Sequence, residues 1–181
     1  MSVTKANADV LDLTDAYALS GTVAFSGTVS GASKIIQVVN VQRGDRSTST
    51  TTMALDNTIP QNGEGAEIFT LAITPASSSN YLVIHSMVNG SINADKRLIM
   101  ALFQDSTAGA LSAAHDMLRT TNYSTQVSLR HYMQAGTTSE TTFKIRAGPS
   151  GAGTYSFNGN VNGGLFGGVG STFLTITEIS A

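Results

Sequence analysis

The feature that most constrains this chain is a two-residue alternation of apolar and polar side chains in short segments. Phe143, Ile145 and Ala147 alternate with Lys144 and Arg146, which is the pattern of a strand with one buried face. Similar segments recur between turn signals, and they predict an all-β, antiparallel β-sandwich of the jelly-roll type with about eight to ten strands. The clearest predicted strands are 35–41, 67–74, 81–88, 97–104, 126–133, 142–147 and 172–179.

Glycine and small polar residues mark the turns between these segments. The tripeptide 43–45 (Arg-Gly-Asp) favours a polar hairpin turn over the adhesion loop that the same residues can form, and 89–90 (Asn-Gly) predicts another hairpin turn. Segment 108–118 is the one helical candidate, because three apolar residues lie at helical spacing. Gly109 inside it argues against a helix.

The first 33 residues have a different character from the strand-rich body at 34–181. Residues 20–31 repeat a six-residue unit nearly twice, and such a unit becomes stable only by stacking on a neighbour or in a wrapped trimer. We therefore predict a docking arm at 1–19, either extended or with one or two helical turns, and a short neck at 20–33. The alternative for the neck is a Gly/Ser/Thr-rich linker.

Glycine is concentrated near the carboxyl end, with nine of the 18 glycines in 148–170. Large apolar residues are interleaved with them, which favours close packing near a symmetry axis over a mobile loop. With the apolar residues of the arm and neck, they form the predicted interface of a homotrimer. The predicted interface residues are Val10, Leu11, Leu13, Tyr17, Val23, Phe25, Val29, Phe157, Leu165 and Phe166.

The composition excludes several classes of partner. Charged residues make up 12% of the chain, about half the usual figure of roughly 25%, and 44 Ser and Thr residues replace them. The net charge of −2 offers no basic footprint for nucleic acid and no polybasic patch for a membrane. The chain has no Cys, no long apolar span and no secretory leader at its start. We therefore expect synthesis in a cytoplasm.

The sequence predicts neither an enzyme nor a cofactor or metal site. His85 and His131 lie in predicted strands among apolar neighbours, where core or interface histidines are expected, and neither has a chelating partner at the usual spacing. No nucleophile elbow and no facing pair of carboxylates can be identified. The tyrosines, with many Asn, Ser and Thr residues, suit sugar binding, although tyrosines at strand edges are common in any sandwich.

Several blocks along 34–179 carry a family resemblance. They include 34–42 (KIIQVVNVQ), 58–65 (TIPQNGEG), 67–75 (EIFTLAITP), 101–108 (ALFQDSTA), 131–139 (HYMQAGTTS) and 143–149 (FKIRAGP). Together they resemble a group of tail-fibre-like virion proteins of tailed bacteriophages. In pattern, the head is also similar to the trimeric jelly rolls of the tumour necrosis factor and complement-head type.

The resemblance implies a non-enzymatic structural protein at the virion surface, assembled after synthesis in the host cytoplasm. It would be a homotrimeric capsid decoration (cement) protein or head-fibre knob, whose arm docks on a major capsid or tail protein. The alternative is a tail-fibre or tail-tip module that recognises host surface glycan. A phage-derived glycan hydrolase is disfavoured, because the carboxylate pair that such an enzyme needs is missing.

Overall fold

The computed structural model describes residues 34–117 and 123–181, and within these ranges the regular structure is β-strands plus one 3₁₀ turn at Phe166–Gly168. All seven strands named above are confirmed. The strands are β1 (Ile35–Arg43), β2 (Ser47–Ser49), β3 (Ala66–Ile73), β4 (Tyr81–Ile92), β5 (Arg97–Gln104), β6 (Ser112–Met117), β7 (Ser124–Gln134), β8 (Thr141–Pro149), β9 (Tyr155–Phe157), β10 (Gly159–Asn160), β11 (Gly163–Gly164) and β12 (Thr172–Ile179).

Eight long strands form two antiparallel sheets with the order of a jelly roll. The first sheet runs β1–β12–β4–β7, with short β9 and β2 continuing beside the far end of β4, and the second runs β3–β8–β5–β6. The chain behaves as one long hairpin wrapped around the core, because β1 pairs with β12, β3 with β8, β4 with β7 and β5 with β6. This order confirms the predicted jelly roll.

The core lies between the two sheets and follows the alternation of the sequence. On β4, Leu82, Ile84 and Val88 point inward and are fully buried. Phe143 and Ile145 on β8 meet them from the second sheet, and both are also fully buried. Burial of each large apolar side chain contributes roughly 1.5–3 kcal/mol to stability, so the contacts between the two sheets are the main stabilising contribution.

Two ends of the first sheet can be distinguished. At the proximal end β1 begins, beside the last residues of β12 and the first residues of β4. At the distal end β1 finishes, β12 begins, and β4 meets the start of β7. Lys34, the first described residue, therefore lies at the proximal end.

A segment at 50–65, which we call the strap, crosses the outer face of the second sheet. Its Met53 is fully buried against Ile99, Ala101 and Phe103. The Met53 amide donates to the Pro149 carbonyl at 3.0 Å. The strap thus covers the apolar part of this face and forms a small second core.

Two local predictions need correction. The Arg-Gly-Asp tripeptide does form a turn, but not a hairpin, since β1 pairs with β12 and β2 with β9. The Asn-Gly pair is not a turn, because Asn89 and Gly90 lie inside β4. Gly90 is needed for close approach of β9, since a Cβ there would lie 2.0 Å from the Ser156 carbonyl oxygen. The helical candidate contains strand β6 instead.

The predicted arm at 1–19 and neck at 20–33 lie outside the described residues, and both stay predictions. In the part that is described, no helix is long and apolar enough to cross a bilayer.

Candidate functional site

The outer face of the first sheet is uncharged at all but one of its twelve central positions. Directly paired residues lie on the same face of a sheet, so the strand register defines three rows across β1, β12, β4 and β7. We call this surface the open face. The rows are Val38, Thr177, Val83, Tyr132; then Asn40, Thr175, His85, Arg130; then Gln42, Phe173, Met87, Ser128.

Ring contacts order the aromatic residues of the open face. Tyr132 is 55% exposed and stacks on Tyr81 with ring centroids 4.9 Å apart. His85 meets the Phe173 ring edge-on at 5.2 Å. Arg130 is the single fully ionised side chain among the three rows. The face therefore offers ordered apolar and hydroxyl groups with little charge.

The outer face of the second sheet is built differently. Glu67 and Arg146 form an ion pair at 3.4 Å, and Lys144 follows on the same strand and face as Arg146. Arg146 also donates to the carbonyls of Glu64 and Gly65 at 2.8 and 2.7 Å, which fixes the end of the strap. Charged side chains and the strap therefore occupy this outer face.

The edge of the first sheet next to the open face is also apolar. Ile35, Ile36 and Val38 on β1 are 61%, 38% and 54% exposed. Among the described strands, β1 has a partner on one side only. An exposed apolar edge strand is a site where another chain can add, and proteins normally protect it.

A buried asparagine organises the turns at the distal end. Asn158 is 3% exposed and donates from Nδ2 to the carbonyls of Arg43 and Asp45 at 2.9 and 3.2 Å. Its Oδ1 accepts from the Thr172 hydroxyl at 2.8 Å. Asn158 therefore holds the Arg-Gly-Asp turn against the start of β12.

The 3₁₀ turn packs on this tripeptide and carries an exposed ring. A Cβ on Gly44 would lie 1.9 Å from the Gly168 carbonyl oxygen, so the two turns touch through their backbones. Phe166 has φ 54°, a left-handed conformation that costs about 1–3 kcal/mol outside glycine, and its side chain is 77% exposed. The surrounding structure thus presents this ring at the surface.

A groove of about 440 Å³ lies beside the Phe166 ring, at the distal end of the open face. We call it the distal groove. Its lining residues within the described part of the chain are Met87, Asn89, Ser124, Thr125, Gln126, Phe166, Gly170 and Ser171. None of the eight is charged.

A smaller cavity of about 110 Å³ lies nearby, between the sheets. Arg43, Asp45 and Glu67 line its polar side, and Phe69 and Phe157 line its apolar side. Its mixed charges suit ordered water better than one class of ligand.

At the proximal end, a carboxylate is buried without a cation. Glu178 is fully buried and accepts from Asn80 Nδ2 and Gln37 Nε2, both at 2.6 Å, and from the Ala76 amide at 2.9 Å. Burial raises the pKa of Glu178, but the hydrogen bonds from Asn80, Gln37 and the backbone outweigh it and hold the pKa below its usual value. Glu178 is a structural clasp on this end of the sheet.

The two histidines of the first sheet occupy different environments. His131 points inward on β7, and partial burial lowers the pKa of its imidazole. His85 is exposed on the open face. Within residues 34–117 and 123–181, no three His, Asp or Glu side chains are close enough to hold a metal ion.

The predicted interface residues fall into three groups. Those from Val10 to Val29 lie outside the described residues. Phe157 is buried in the core, with its ring 4.0 Å from that of Tyr155. Leu165 is half-buried, and Phe166 is exposed at the distal groove.

The open face itself was missed at the level of sequence, although a signal was present. The predicted strand 81–88 is largely apolar on both faces, where a solvated strand normally shows charges on one. A strand with this pattern is expected to be covered on both sides. The structure shows that nothing in the described residues lies over the open face as the strap lies over the other sheet.

No protein-family model matches the chain, and no curated protein matches it by sequence. Solved structures match it by fold. One is the Eiger TNF of S. frugiperda, at 8% identity and a TM-score of 0.46, covering 78% of this chain and 92% of that chain. A second is the EclA C-terminal domain, a sugar-binding protein, at 13% identity and a TM-score of 0.36, covering 77% and 84%.

A third is an infectious bursal disease virus structure (Gx strain), at 13% identity and a TM-score of 0.40, covering 88% of this chain and 41% of that chain. At such low identity and TM-score the three similarities carry no functional argument. The strand order given above is what assigns the jelly roll.

Proposed function

We propose that this chain is a non-enzymatic structural protein of a bacteriophage virion, a homotrimeric capsid decoration protein or head-fibre knob. The observation that supports the proposal best is the open face, a four-stranded surface with Arg130 as its one fully charged group. Low charge together with an exposed Tyr132 and half-buried Phe173 and Met87 resembles the composition of protein interface cores.

The open face and the β1 edge together fit a ring of identical chains. The open face is about 20 Å wide, because its four strands lie roughly 4.8 Å apart. A stable interface buries about 800 Å² on each partner. A closed ring lets each chain use two different surfaces. In this arrangement the apolar edge at Ile35–Val38 of one copy contacts the open face of the next.

The number of copies and the virion location come from the sequence resemblance, together with the predicted docking arm at 1–19. A head that assembles through one face leaves the opposite, charged face in solvent. The strap and the Glu67–Arg146 ion pair suit that solvated position. The proposal thus assigns each outer face a distinct environment.

Sedimentation equilibrium of the full chain at micromolar concentration tests the assembly. We expect a particle of three times the 18.8 kDa chain mass. A monomer under these conditions would contradict the proposal. The virion location is tested separately by mass spectrometry of purified particles, with and without deletion of 1–31. The deletion should prevent incorporation while the head stays soluble, and detection of the deleted form in particles would rule out docking through the arm.

A further inference from the structure

We propose that the distal groove binds an uncharged saccharide, with the Phe166 ring as the surface on which a sugar ring stacks. This site adjoins the open face at its distal end and shares Met87 with the third row. It adds a ligand-binding role to the structural one.

The chemistry of the lining selects the ligand class. Asn, Gln, Ser and Thr side chains supply neutral donors and acceptors, which match the hydroxyl groups of a sugar. Within the described residues, three lining side chains make no hydrogen bond to other side chains or to the backbone. They are the side-chain amide of Gln126 and the hydroxyls of Ser124 and Ser171. No described lining residue is charged, and the charged group next to the lining, the Asp116 carboxylate that accepts from the Thr125 hydroxyl, gives an anionic ligand no counter-charge.

The groove also has the size and the apolar wall that such a ligand needs. Its volume of about 440 Å³ lies within the usual range for small-molecule sites, roughly 300–1,000 Å³. The apolar C–H face of a hexose can pack on an aromatic ring while its hydroxyls contact polar groups at the rim. Phe166 and Met87 provide the apolar contacts here.

Phe166 is held in place for this contact at an energetic cost. Its φ of 54° is strained, and strained backbone of this kind is characteristic of functional sites. The ring lies over Gly170, where a Cβ would come within 3.0 Å of Phe166 Cδ2. The Leu165 amide donates to the Asn158 carbonyl at 3.2 Å, which ties the turn to the buried asparagine.

The position of the groove suits contact with an external ligand. Lys34, where the predicted neck joins the head, lies at the proximal end, and β1 spans about 30 Å from there to the distal end. The groove and the first described residue therefore lie at opposite ends of the first sheet. A second copy of the chain is the competing occupant, and the experiment distinguishes the two.

Nuclear magnetic resonance titration of the ¹⁵N-labelled full chain tests the site. The probes are lactose, maltose, mannobiose and chitobiose at millimolar concentration, with sialyllactose as the charged comparison. At least one neutral sugar should shift the amide signals of 87–89, 124–126 and 166–171. Sialyllactose should bind no more tightly than lactose. A panel without such shifts would overturn the proposal, and so would shifts that depend on protein concentration alone, because those would place a second copy in the groove.

Matched variants on one turn identify the contact. Phe166→Ala should weaken binding of the responding sugar at least about tenfold, and Phe166→Tyr should restore it. Val169→Ala is the control, because Val169 is 83% exposed on the same turn but does not line the groove. Sedimentation of Phe166→Ala should be unchanged. Binding by Phe166→Ala equal to that of the original chain, or dissociation of the assembly, would refute the role assigned to Phe166.

Discussion

The two outer faces of this sandwich have the same architecture and opposite chemistry. The second sheet carries Glu67, Lys144 and Arg146 and is crossed by the strap, whose Met53 covers the apolar residues of β5. Among residues 34–117 and 123–181, neither a strap nor paired charges lie on the outer face of the first sheet. On the second sheet the strap covers the apolar surface, and on the first sheet no described segment does so. Apolar residues on the outer face of a sheet therefore indicate an interaction surface only where no other segment of the chain covers them.

The largest effect should come from placing a charge on the open face. Val83→Glu puts a carboxylate between Thr177 and Tyr132, and we expect the association constant of the assembly to fall by at least about 1,000-fold, since an unpaired buried charge costs several kcal/mol. Sedimentation equilibrium measures the change.

Ala72→Glu is the matched control, because Ala72 is exposed on β3 of the second sheet. Its association should equal that of the original chain. Equal weakening by both variants would show that net charge, not the open face, controls assembly.

A second large effect should follow from removing the side chain beneath the strap. Met53→Ala leaves a cavity beside Ile99 and Phe103, and the free energy of unfolding should fall by about 2–5 kcal/mol. Urea denaturation measures this loss. Leu55→Ala, at a 45% exposed position of the same segment, should change it by less than about 0.5 kcal/mol. A change in association by Met53→Ala without a loss of stability would contradict the division between the faces.

A smaller effect should appear in the pH dependence of the free energy of unfolding, through Glu178 at the proximal end of the first sheet. The folded state holds the pKa of Glu178 below its unfolded value, so its contribution is complete above the ordinary carboxyl pKa of about 4.3 and is lost as pH falls through the folded-state pKa. Glu178→Gln should cost about 1–3 kcal/mol at neutral pH, because the donors from Asn80, Gln37 and Ala76 lose their charged acceptor.

Urea denaturation between pH 7 and pH 3 compares the original chain with this variant. The gap between them should narrow as the pH falls. A gap that stays constant down to pH 3 would show that Glu178 does not titrate in this range.

The smallest effect should come from the other end of the strap. Arg146→Lys removes the two planar hydrogen bonds to the carbonyls of Glu64 and Gly65, at an expected cost of about 1 kcal/mol. Thermal unfolding should show a drop of a few degrees for this variant. Lys144→Gln, on the same strand and without such bonds, should leave the transition in place. A larger drop for Lys144→Gln than for Arg146→Lys would argue against this anchoring of the strap.

Strand positions could be predicted from sequence because alternation reports burial directly. The predicted 97–104 coincides with β5, and on β7 the apolar side chains do share the inner face. Strand β6 was not predicted. Ala113 and Ala114 have no strong preference for strands, and the apolar residues of 108–118 have helical spacing, interrupted by Gly109. The prediction of a turn at the Asn-Gly pair was wrong. Gly90 is required by the close approach of β9, and the same two residues also occur in hairpin turns.

The distal groove was beyond sequence reasoning for a different reason. Met87, Ser124 and Phe166 are far apart in the chain and meet only through the pairing of β4 with β7 and the packing of the 3₁₀ turn. Phe166 was singled out as an apolar residue in a glycine-rich segment, but its exposure depends on its backbone conformation. Its assignment to an assembly interface stays a prediction that the sugar titration and sedimentation will separate.

By itself, the sequence determined the all-β class, the inward faces of the long strands and the low charge of the surface, because these depend on local alternation and composition. Tertiary structure decided which of the two sheets received the strap and which kept an open face. That choice depends on strand order, since pairing β12 between β1 and β4 gathers Val83, Thr175 and Tyr132 onto one surface. Residues so distant in the chain acquire a common environment only when the sheet forms.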